Sequence, residues 1–162
     1  MLNLKTEIYL KFIFLVSFTS ISTAYFIEYI LGHQPCNLCI IERIPYMLSI
    51  VLIISIFIFK KIQKFIIKIL IILFVISIFI SIYHFGIERG IFEESAICSL
   101  KNQADIISKE ELLNQLSKKT VSCKDVTFRI FGFSLTTFNI VLSLILIILL
   151  NTIFKNYEKI KK

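Results

Sequence analysis

Four long runs of apolar residues, separated by polar and charged segments, divide the chain. They cover about residues 8–31, 44–59, 65–85 and 131–154. Each run is close to the roughly 20 residues that an α-helix needs to cross the hydrocarbon core of a membrane, although the second is short. Because only a helix can satisfy all of its backbone hydrogen bonds in lipid, we expect helices in spite of the many β-branched side chains. The pattern predicts an all-α fold, a bundle of four transmembrane helices.

The composition agrees with this prediction and narrows the class of protein. The chain has 162 residues, of which 57% are hydrophobic, whereas soluble domains contain about 45–50% apolar residues. A soluble domain of this size could not bury so much apolar surface, so we expect residues 1–162 to form a single integral membrane domain in contact with lipid. The net charge of +7 could suit a nucleic-acid partner. However, the lysines lie beside the apolar runs and form no basic face with interleaved aromatic residues, so no nucleic-acid binding is expected.

The charges predict which side of the membrane each polar segment faces. The two ends of the chain and the turn between the second and third runs together carry a net charge of +8, and the remaining polar segments carry −1. By the positive-inside rule, both termini and the Lys-rich turn are cytoplasmic. All four cysteines are then predicted to lie on the outer face, in loops at about residues 32–43 and 86–130.

The first apolar run has a second interpretation. Ser22-Thr23-Ala24 is similar to the small-residue site at which a secretory signal peptide is cleaved. However, apolar residues continue to Leu31, which is beyond the usual apolar core of a signal peptide. The lysine distribution also fits an even number of spans better than an odd one, so we interpret the run as a transmembrane helix.

The long outer loop contains one local helix signal. Residues 108–111 form a capping box, and Ile107 and Leu112 have the spacing of a hydrophobic staple. Leu112, Leu113 and Leu116 would then form an apolar stripe on a short amphipathic helix, which either packs on the bundle or lies flat on the membrane surface. Either position would limit how far the cysteines of this loop can move.

The four cysteines fall into two groups. Cys36 and Cys39 have the C-x-x-C spacing of a metal site or a reactive disulfide, and Cys98 and Cys123 have 24 residues between them. In an oxidising compartment neighbouring thiols tend to form disulfides, so zinc binding is the weaker alternative. An inert disulfide could explain the second group, because closing such a loop stabilises a protein by about 3 kcal/mol. The C-x-x-C pair favours reactivity instead, since so small a ring restrains the chain very little.

Three ionisable side chains near predicted span ends could assist a reactive pair. Arg43 follows Cys39 by four residues, where a helix would place both on one face; it could lower a thiol pKa or hold negative charge on a reduced quinone. Alternatively, Arg43 is an ordinary interfacial arginine paired with Glu42. His84 ends the third span and could relay protons to a quinone or simply cap the helix end. Glu28 could be a proton site or a partner of Arg43.

These residues resemble the DsbB family of disulfide bond formation proteins. The resemblance lies in the C-x-L-C-x-x-x-R motif within residues 34–43, followed by Pro45 and Tyr46, and in residues 83–88 at the end of the third span. Residues 132–135 and Asn139 in the fourth run also match, so the resemblance covers essentially the whole chain. It implies a quinone-dependent protein-disulfide oxidoreductase of the bacterial inner membrane, with its cysteine loops in the periplasm.

The resemblance also implies a role for each cysteine. Cys36 and Cys39 would be the pair coupled to the membrane quinone pool. Cys98 and Cys123 would be the pair that meets a DsbA-like periplasmic protein of the thioredoxin fold, with Cys98 forming the mixed disulfide. Exchange between Cys36 and Cys123 would then carry electrons from one pair to the other.

The same resemblance implies a quinone site. Cys39 would lie nearest the quinone, which is ubiquinone or menaquinone, with Arg43 beside it, and His84 matches a family histidine only approximately. DsbA is strongly oxidising, with a reduction potential of about −120 mV, so its reoxidation needs an acceptor with a more positive potential than that of ordinary structural disulfides. A quinone that is kept oxidised by a respiratory chain would meet this need.

Two other functions are open at this point. A membrane reductant, or a protein like quinone-epoxide reductase, would use the same chemistry in the opposite direction, but that family usually carries its C-x-x-C near a late span. A small transporter, or a four-span membrane protein with purely structural disulfides, would have no redox activity. A transporter would need polar residues deep in the spans, and beyond Ser and Thr the sequence has almost none there.

Overall fold

The computed structural model describes residues 4–94, 98, 122–124, 129–130 and 132–161. The elements in chain order are α1 (Leu4–Tyr29), α2 (Asn37–Ile41), α3 (Ile44–Ile58), a 3₁₀ turn (Lys60–Ile62), α4 (Gln63–Glu88), β1 (Arg129–Ile130), β2 (Phe133–Ser134) and α5 (Leu135–Lys161). Four helical segments among them are long and apolar enough to cross a membrane, so the predicted all-α four-helix architecture is confirmed. The amphipathic helix expected near residues 107–116 lies outside the described residues.

The observed helix ends differ from the predicted ones where the backbone reverses. Helix α1 ends at Tyr29, and not near residue 31, because Gly32 takes a positive φ of 73° and turns the chain. The fourth helix begins at Leu135, and not near residue 131, because β1 and β2 pair in a short antiparallel hairpin around Gly132. These two turns place the segment after α1 and the segment before α5 against the end of the bundle that carries the cysteines.

The short second apolar run gains its length from the C-x-x-C segment. Helix α2 precedes α3 directly, and the two together form one candidate span from Asn37 to Ile58. Pro45 lies in the first turn of α3. Backbone N–H groups in the first turn have no acceptor within the helix, so a proline at this position costs no helical hydrogen bond. The two cysteines are therefore carried on a helical turn at the very end of a span.

The bundle is apolar both inside and outside. Helix α1 packs mainly on α3 and helix α4 mainly on α5, whereas α1 and α5 touch at few positions. The core is built from fully buried aliphatic and aromatic residues, among them Leu10, Ile13, Ile53, Ile56, Leu70, Phe74, Leu146 and Leu150. Large side chains such as Phe18, Phe79 and Ile148 are more than half exposed on the outside, as expected for helices that face lipid.

A set of polar side chains links three helices inside the bundle. The Tyr46 hydroxyl in α3 donates to Asn139 Oδ1 in α5 and lies 3.1 Å from Ser143 Oγ. Asn139 Nδ2 donates to Ser81 Oγ in α4 at 2.7 Å, and Ser77 Oγ lies 3.4 Å from Ser143 Oγ. Hydrogen bonds of this kind between membrane helices contribute on the order of 1 kcal/mol each. The polar content of the span interiors is thus larger than the sequence suggested, because Tyr46 and Asn139 point inward.

Gly86 controls how the chain leaves α4 towards Cys98. The backbone N–H groups of Ile91 and Phe92 donate to the Gly86 carbonyl at 2.8 and 3.2 Å, and the Phe92 ring stacks on Tyr83 with 5.7 Å between centroids. The Phe92 ring covers Gly86 so closely that a Cβ at this position would overlap it. The residue at position 86 must therefore be glycine if Phe92 is to hold this turn.

We expect Gly86→Ala to destabilise the protein by about 1–3 kcal/mol, because the added methyl group must displace the Phe92 ring. Thermal unfolding of the purified protein in detergent measures the effect. A double-mutant cycle supplies the control: Gly86→Ala added to Phe92→Ala should cost little further stability, since the clash is then absent. A wild-type unfolding temperature for Gly86→Ala alone would contradict this packing.

Candidate functional site

The C-x-x-C motif presents two neighbouring free thiols at the start of α2. Cys36 is the N-cap residue, and its Sγ accepts the backbone N–H of Cys39 at 3.3 Å. The two Sγ atoms are 2.8 Å apart; Cys36 is 5% exposed and Cys39 is half-buried. A sulfur at this position faces unpaired backbone N–H groups, which favour its negative form.

His84 contacts this pair from α4. Its Nε2 lies 3.4 Å from Cys36 Sγ, and its Nδ1 lies 3.1 Å from Glu42 Oε1. The ring is only 1% exposed, which a histidine that simply caps a helix end does not require. A protonated imidazole can donate from both nitrogens, so His84 can hold a thiolate on one side and a carboxylate on the other.

The surroundings of Cys36 favour its thiolate. The Cys39 thiol donates a hydrogen bond to Cys36, and the hydrogen bond and charge of His84 act in the same direction, whereas burial opposes them. The net effect lowers the pKa of Cys36 to about 5. In the reduced protein Cys36 is therefore a nucleophile at neutral pH, as expected for a reactive C-x-x-C.

This lowered pKa predicts how the reduced protein reacts with iodoacetamide. Because only the thiolate reacts, the alkylation rate of Cys36 should stay high at neutral pH and fall as the pH decreases through about 5. His84→Gln should move the midpoint to higher pH, since it removes one of the groups that favour the thiolate. Mass spectrometry of the Cys36 peptide gives the rate, and a wild-type midpoint near that of a free thiol, about 8.5, would contradict the assignment.

Arg43 lies at the junction of α2 and α3 and points towards α1. Its guanidinium donates to Glu28 Oε2 and lies 5.0 Å from the centre of the Tyr25 ring. Of the two partners that the sequence suggested, Glu28 is therefore the correct one. The alternative pairing with Glu42 is wrong, because Glu42 turns towards His84 instead. Arg43 and Cys39 nevertheless line the same cavity.

The second cysteine pair lies directly against the first. Cys98 and Cys123 are joined by a disulfide bond, and both are at least 95% buried. They pack with Cys36, Leu38 and Ile87 in a single buried cluster. Although 24 residues separate Cys98 from Cys123 in the sequence, the fold brings all four cysteines together, since Cys39 packs against the same cluster.

A carboxylate fixes the turn that carries Cys123. Ser122 Oγ donates to Glu94 Oε1, and the backbone N–H of Lys124 donates to the same oxygen at 3.2 Å. Glu94 follows α4 and the Phe92 turn, so the segment that leaves α4 holds the segment that returns with Cys123. This arrangement keeps Cys123 at the cavity wall.

A cavity of about 370 Å³, which we call the thiol cavity, opens beside the cysteines. Its polar side is lined by Cys36, Cys39, Glu42, Arg43, His84 and Glu88. Its apolar side is lined by residues of α1 and α5, including Ile27, Leu135, Phe138 and Leu142. The volume and the mixed lining are typical of a small-molecule site, and the sparse contact between α1 and α5 leaves the apolar side open towards lipid.

The donor set of the cavity suits an aromatic redox group better than a metal ion. Cys36, Cys39 and His84 have ligand atoms within 4.8 Å of one another. However, two thiolates on one tetrahedral zinc ion stand roughly 3.7 Å apart, and these two sulfurs are 2.8 Å apart. A quinone ring needs a largely apolar slot with a few hydrogen-bonding groups, and the lining of the thiol cavity provides both.

The sequence did not reveal the contacts that several polar residues make in the site. Thr136 Oγ1 donates to Glu88 Oε1 at 2.6 Å and lies 3.3 Å from His84 Nδ1, and Glu42 is 8% exposed. The i, i+4 spacing of His84 and Glu88 was a usable signal for one of these contacts. The contacts of Glu42 and Thr136 depend on how three helix ends meet, which no local spacing reveals.

Comparison with known proteins agrees with this geometry. A family model described as disulfide bond formation protein DsbB matches residues 6–153. An uncharacterized protein of Rickettsia prowazekii (strain Madrid E), RP370, is 33% identical over 140 residues, which cover 85% of this chain and 81% of the relative. No solved structure shows a significant match. The family match runs from α1 to α5 and includes both cysteine pairs, so the chain belongs to the DsbB family of disulfide bond formation proteins.

Proposed function

We propose that this protein is a membrane thiol oxidase that reoxidises a DsbA-like dithiol protein and passes the electrons through its two cysteine pairs to a membrane quinone. The observation that carries the proposal is the shared burial of Cys36, Cys98 and Cys123 beside a cavity of about 370 Å³. A purely structural disulfide has no need to lie against a reactive C-x-x-C pair. A transfer route between two redox-active pairs does.

In the proposed route, the Cys98–Cys123 pair accepts the electrons of the partner. A thiolate of the partner attacks Cys98, which forms a mixed disulfide and releases Cys123 as a thiolate. Cys123 then attacks Cys36 of an oxidised Cys36–Cys39 pair, so one disulfide bond forms as another breaks and Cys39 leaves as a thiolate. When the partner's second thiolate resolves the mixed disulfide, two electrons have left the partner.

The chain's own residues can stabilise the thiolate of Cys36 in this route. Cys36 lies at the start of α2 and next to His84, which is held in turn by Glu42 at 3.1 Å. A buried carboxylate that contacts a histidine fixes the orientation of its ring. The His84–Glu42 pair therefore compensates negative charge on the sulfur of Cys36, so that the sulfur can leave or attack without solvent.

The quinone site would use the remaining walls of the thiol cavity. A bound quinone supplies the two-electron, two-proton acceptor that the dithiol chemistry needs. Arg43 would hold developing negative charge beside the ring, His84 would hold a proton near it, and Cys39 would face it. The apolar residues of α1 and α5 would exclude water and guide the lipid-soluble tail.

We further propose that the cysteine end of the bundle faces the periplasm of a bacterial inner membrane. The lysines concentrate at the opposite end, as the positive-inside rule requires for a cytoplasmic face. Labelling with a membrane-impermeant maleimide after mild reduction should modify cysteines in intact spheroplasts. Labelling that requires lysis would contradict this orientation.

The function is tested with the purified protein in lipid nanodiscs. Reduced DsbA-like protein and quinone are added together, and quinone absorbance is followed alongside the thiol content of the partner. We expect quinone to be consumed only when both the partner and this protein are present. If the quinone stays oxidised while the partner stays reduced, the proposed function is wrong.

A further inference from the structure

Glu88 is a residue of the site that has no role in the proposed electron route. It is the last residue of α4, and its side chain is 9% exposed. Its Oε1 accepts the Thr136 hydroxyl at 2.6 Å and lies 3.8 Å from His84 Nε2. A nearly buried carboxylate this close to a histidine is placed to exchange a proton with it.

A second pocket, of about 200 Å³, adjoins the thiol cavity at this point. We call it the arginine pocket, and it is lined by Phe85, Glu88, Arg89, Arg129, Gly132 and Ser134. Among the described residues that line the two cavities, Glu88 is the one common to both. Arg89 and Arg129 are exposed, so the arginine pocket connects Glu88 with the solution at the cysteine end of the bundle.

The other carboxylate of the site is placed differently. Glu42 contacts His84 through Nδ1, lines the thiol cavity and does not line the arginine pocket. The other ionisable groups that line the two cavities around His84 and Glu88 are His33, Cys36, Cys39, Glu42, Arg43 and Tyr46 on the cavity side and Arg89 and Arg129 on the solution side. Glu42 is thus suited to fixing the ring, and Glu88 to exchange with water.

We propose that Glu88 carries protons between the solution in the arginine pocket and His84, so that the protons that accompany electrons to the quinone enter from the cysteine end of the protein. This inference rests on the proposed function. Each turnover takes two electrons from two thiols of the partner, which release two protons to that solution, and the acceptor gains two electrons and two protons. If the protons for the acceptor are taken up through Glu88, they come from the same side of the membrane on which the partner released its two protons. The reaction then moves no net charge across the membrane.

The first test needs no quinone. In the reduced protein, the ultraviolet absorbance of the Cys36 thiolate reports its protonation after a caged acid is photolysed to lower the pH rapidly. We expect Glu88→Gln to slow the protonation of Cys36 about a hundredfold, the lower end of the effects of a lost proton-transfer group. Glu93→Gln, which alters an exposed carboxylate nearby, should leave the rate unchanged.

Chemical rescue separates a proton carrier from a structural residue. Azide or formate, small weak acids that suit a pocket with two arginines, should restore fast protonation in Glu88→Gln. If that variant does not fold, Glu88→Asp places the carboxyl group one methylene farther from His84, and it should show the same slowing and the same rescue. An unchanged rate, or a slow rate that neither acid restores, would overturn the proposal.

A parallel turnover assay distinguishes this proposal from the proposed function. If wild-type protein reduces quinone while Glu88→Gln shows a lowered kcat that azide restores, both stand. If wild-type protein reduces quinone and Glu88→Gln is indistinguishable from it in turnover and in protonation rate, only the role of Glu88 is wrong. If wild-type protein reduces no quinone, the proposed function fails, and the inference that rests on it fails with it.

Discussion

Replacing Cys39 with serine is expected to abolish quinone reduction, with a loss of about 10³-fold or more, the scale seen when an enzyme loses its covalent catalytic group. In the proposed route Cys39 is the sulfur released when Cys123 attacks Cys36, and it lines the thiol cavity. A serine oxygen cannot form a disulfide bond with Cys36, so the variant lacks the oxidised pair that would accept electrons from Cys123 and pass them to the quinone. The rate of quinone absorbance change measures the loss.

The same variant should accumulate a defined covalent species. In this variant the Cys36 thiolate can attack Cys123 of the Cys98–Cys123 disulfide and release Cys98 as a thiolate. Because no Cys39 thiol is left to attack Cys36, the Cys36–Cys123 disulfide should persist and appear in peptide mapping by mass spectrometry. Ile40→Ala, which changes an exposed neighbour on α2, is the matched control and should reduce quinone at close to the wild-type rate. Quinone reduction by Cys39→Ser at the wild-type rate would refute the assignment of the quinone-coupled pair.

Replacing Arg43 with glutamine should have the next largest effect. The guanidinium pairs with Glu28 at the cavity wall, and the two side chains are only 14% and 22% exposed. Its removal leaves the Glu28 carboxylate without a partner and takes away the positive charge proposed to face the quinone. A lost charge-assisted hydrogen bond of about 1.5–3 kcal/mol corresponds to a decrease in kcat/KM for quinone of about ten- to a hundredfold.

Two controls separate the charge of Arg43 from its structural role. Glu28→Gln keeps that charge and an acceptor for it, so its effect on kcat/KM should be clearly smaller. Lys11→Gln removes a cation from an exposed pair with Glu7 in the same helix as Glu28, and it should have no effect. Equal losses in Arg43→Gln and Glu28→Gln would show that the pair only holds α1 in place.

The membrane made the four helices predictable from the sequence. Lipid excludes other ways of pairing the backbone, so hydropathy alone located α1, α3, α4 and α5, with most ends within about four residues and the end of α5 seven residues beyond the predicted one. The helix ends were less predictable, because Gly32 and the β1–β2 hairpin reverse the chain inside apolar runs. Both the last turn of a helix and a non-helical segment that packs against the helix end are apolar, so composition does not distinguish them.

The site was only partly predictable, because its key contacts join distant segments. Cys36 and His84 are 48 residues apart, and their contact depends on the rotation of α4 relative to α2. The sequence suggested two acidic partners for Arg43 and could not choose between them, since Glu28 and Glu42 both lie near span ends. The choice follows from the direction in which the short α2 points, and that direction is set by the turn before Pro45.

The most direct test of the central claim counts electrons in the protein alone. The purified protein is reduced on all four cysteines, freed of reductant and titrated with quinone in the absence of any partner. If both pairs lie on one electron route, about two equivalents of quinone are consumed, since each disulfide formed delivers two electrons. Consumption of about one equivalent, with Cys98 and Cys123 still reduced, would show that only the C-x-x-C pair is redox-coupled and would contradict the account.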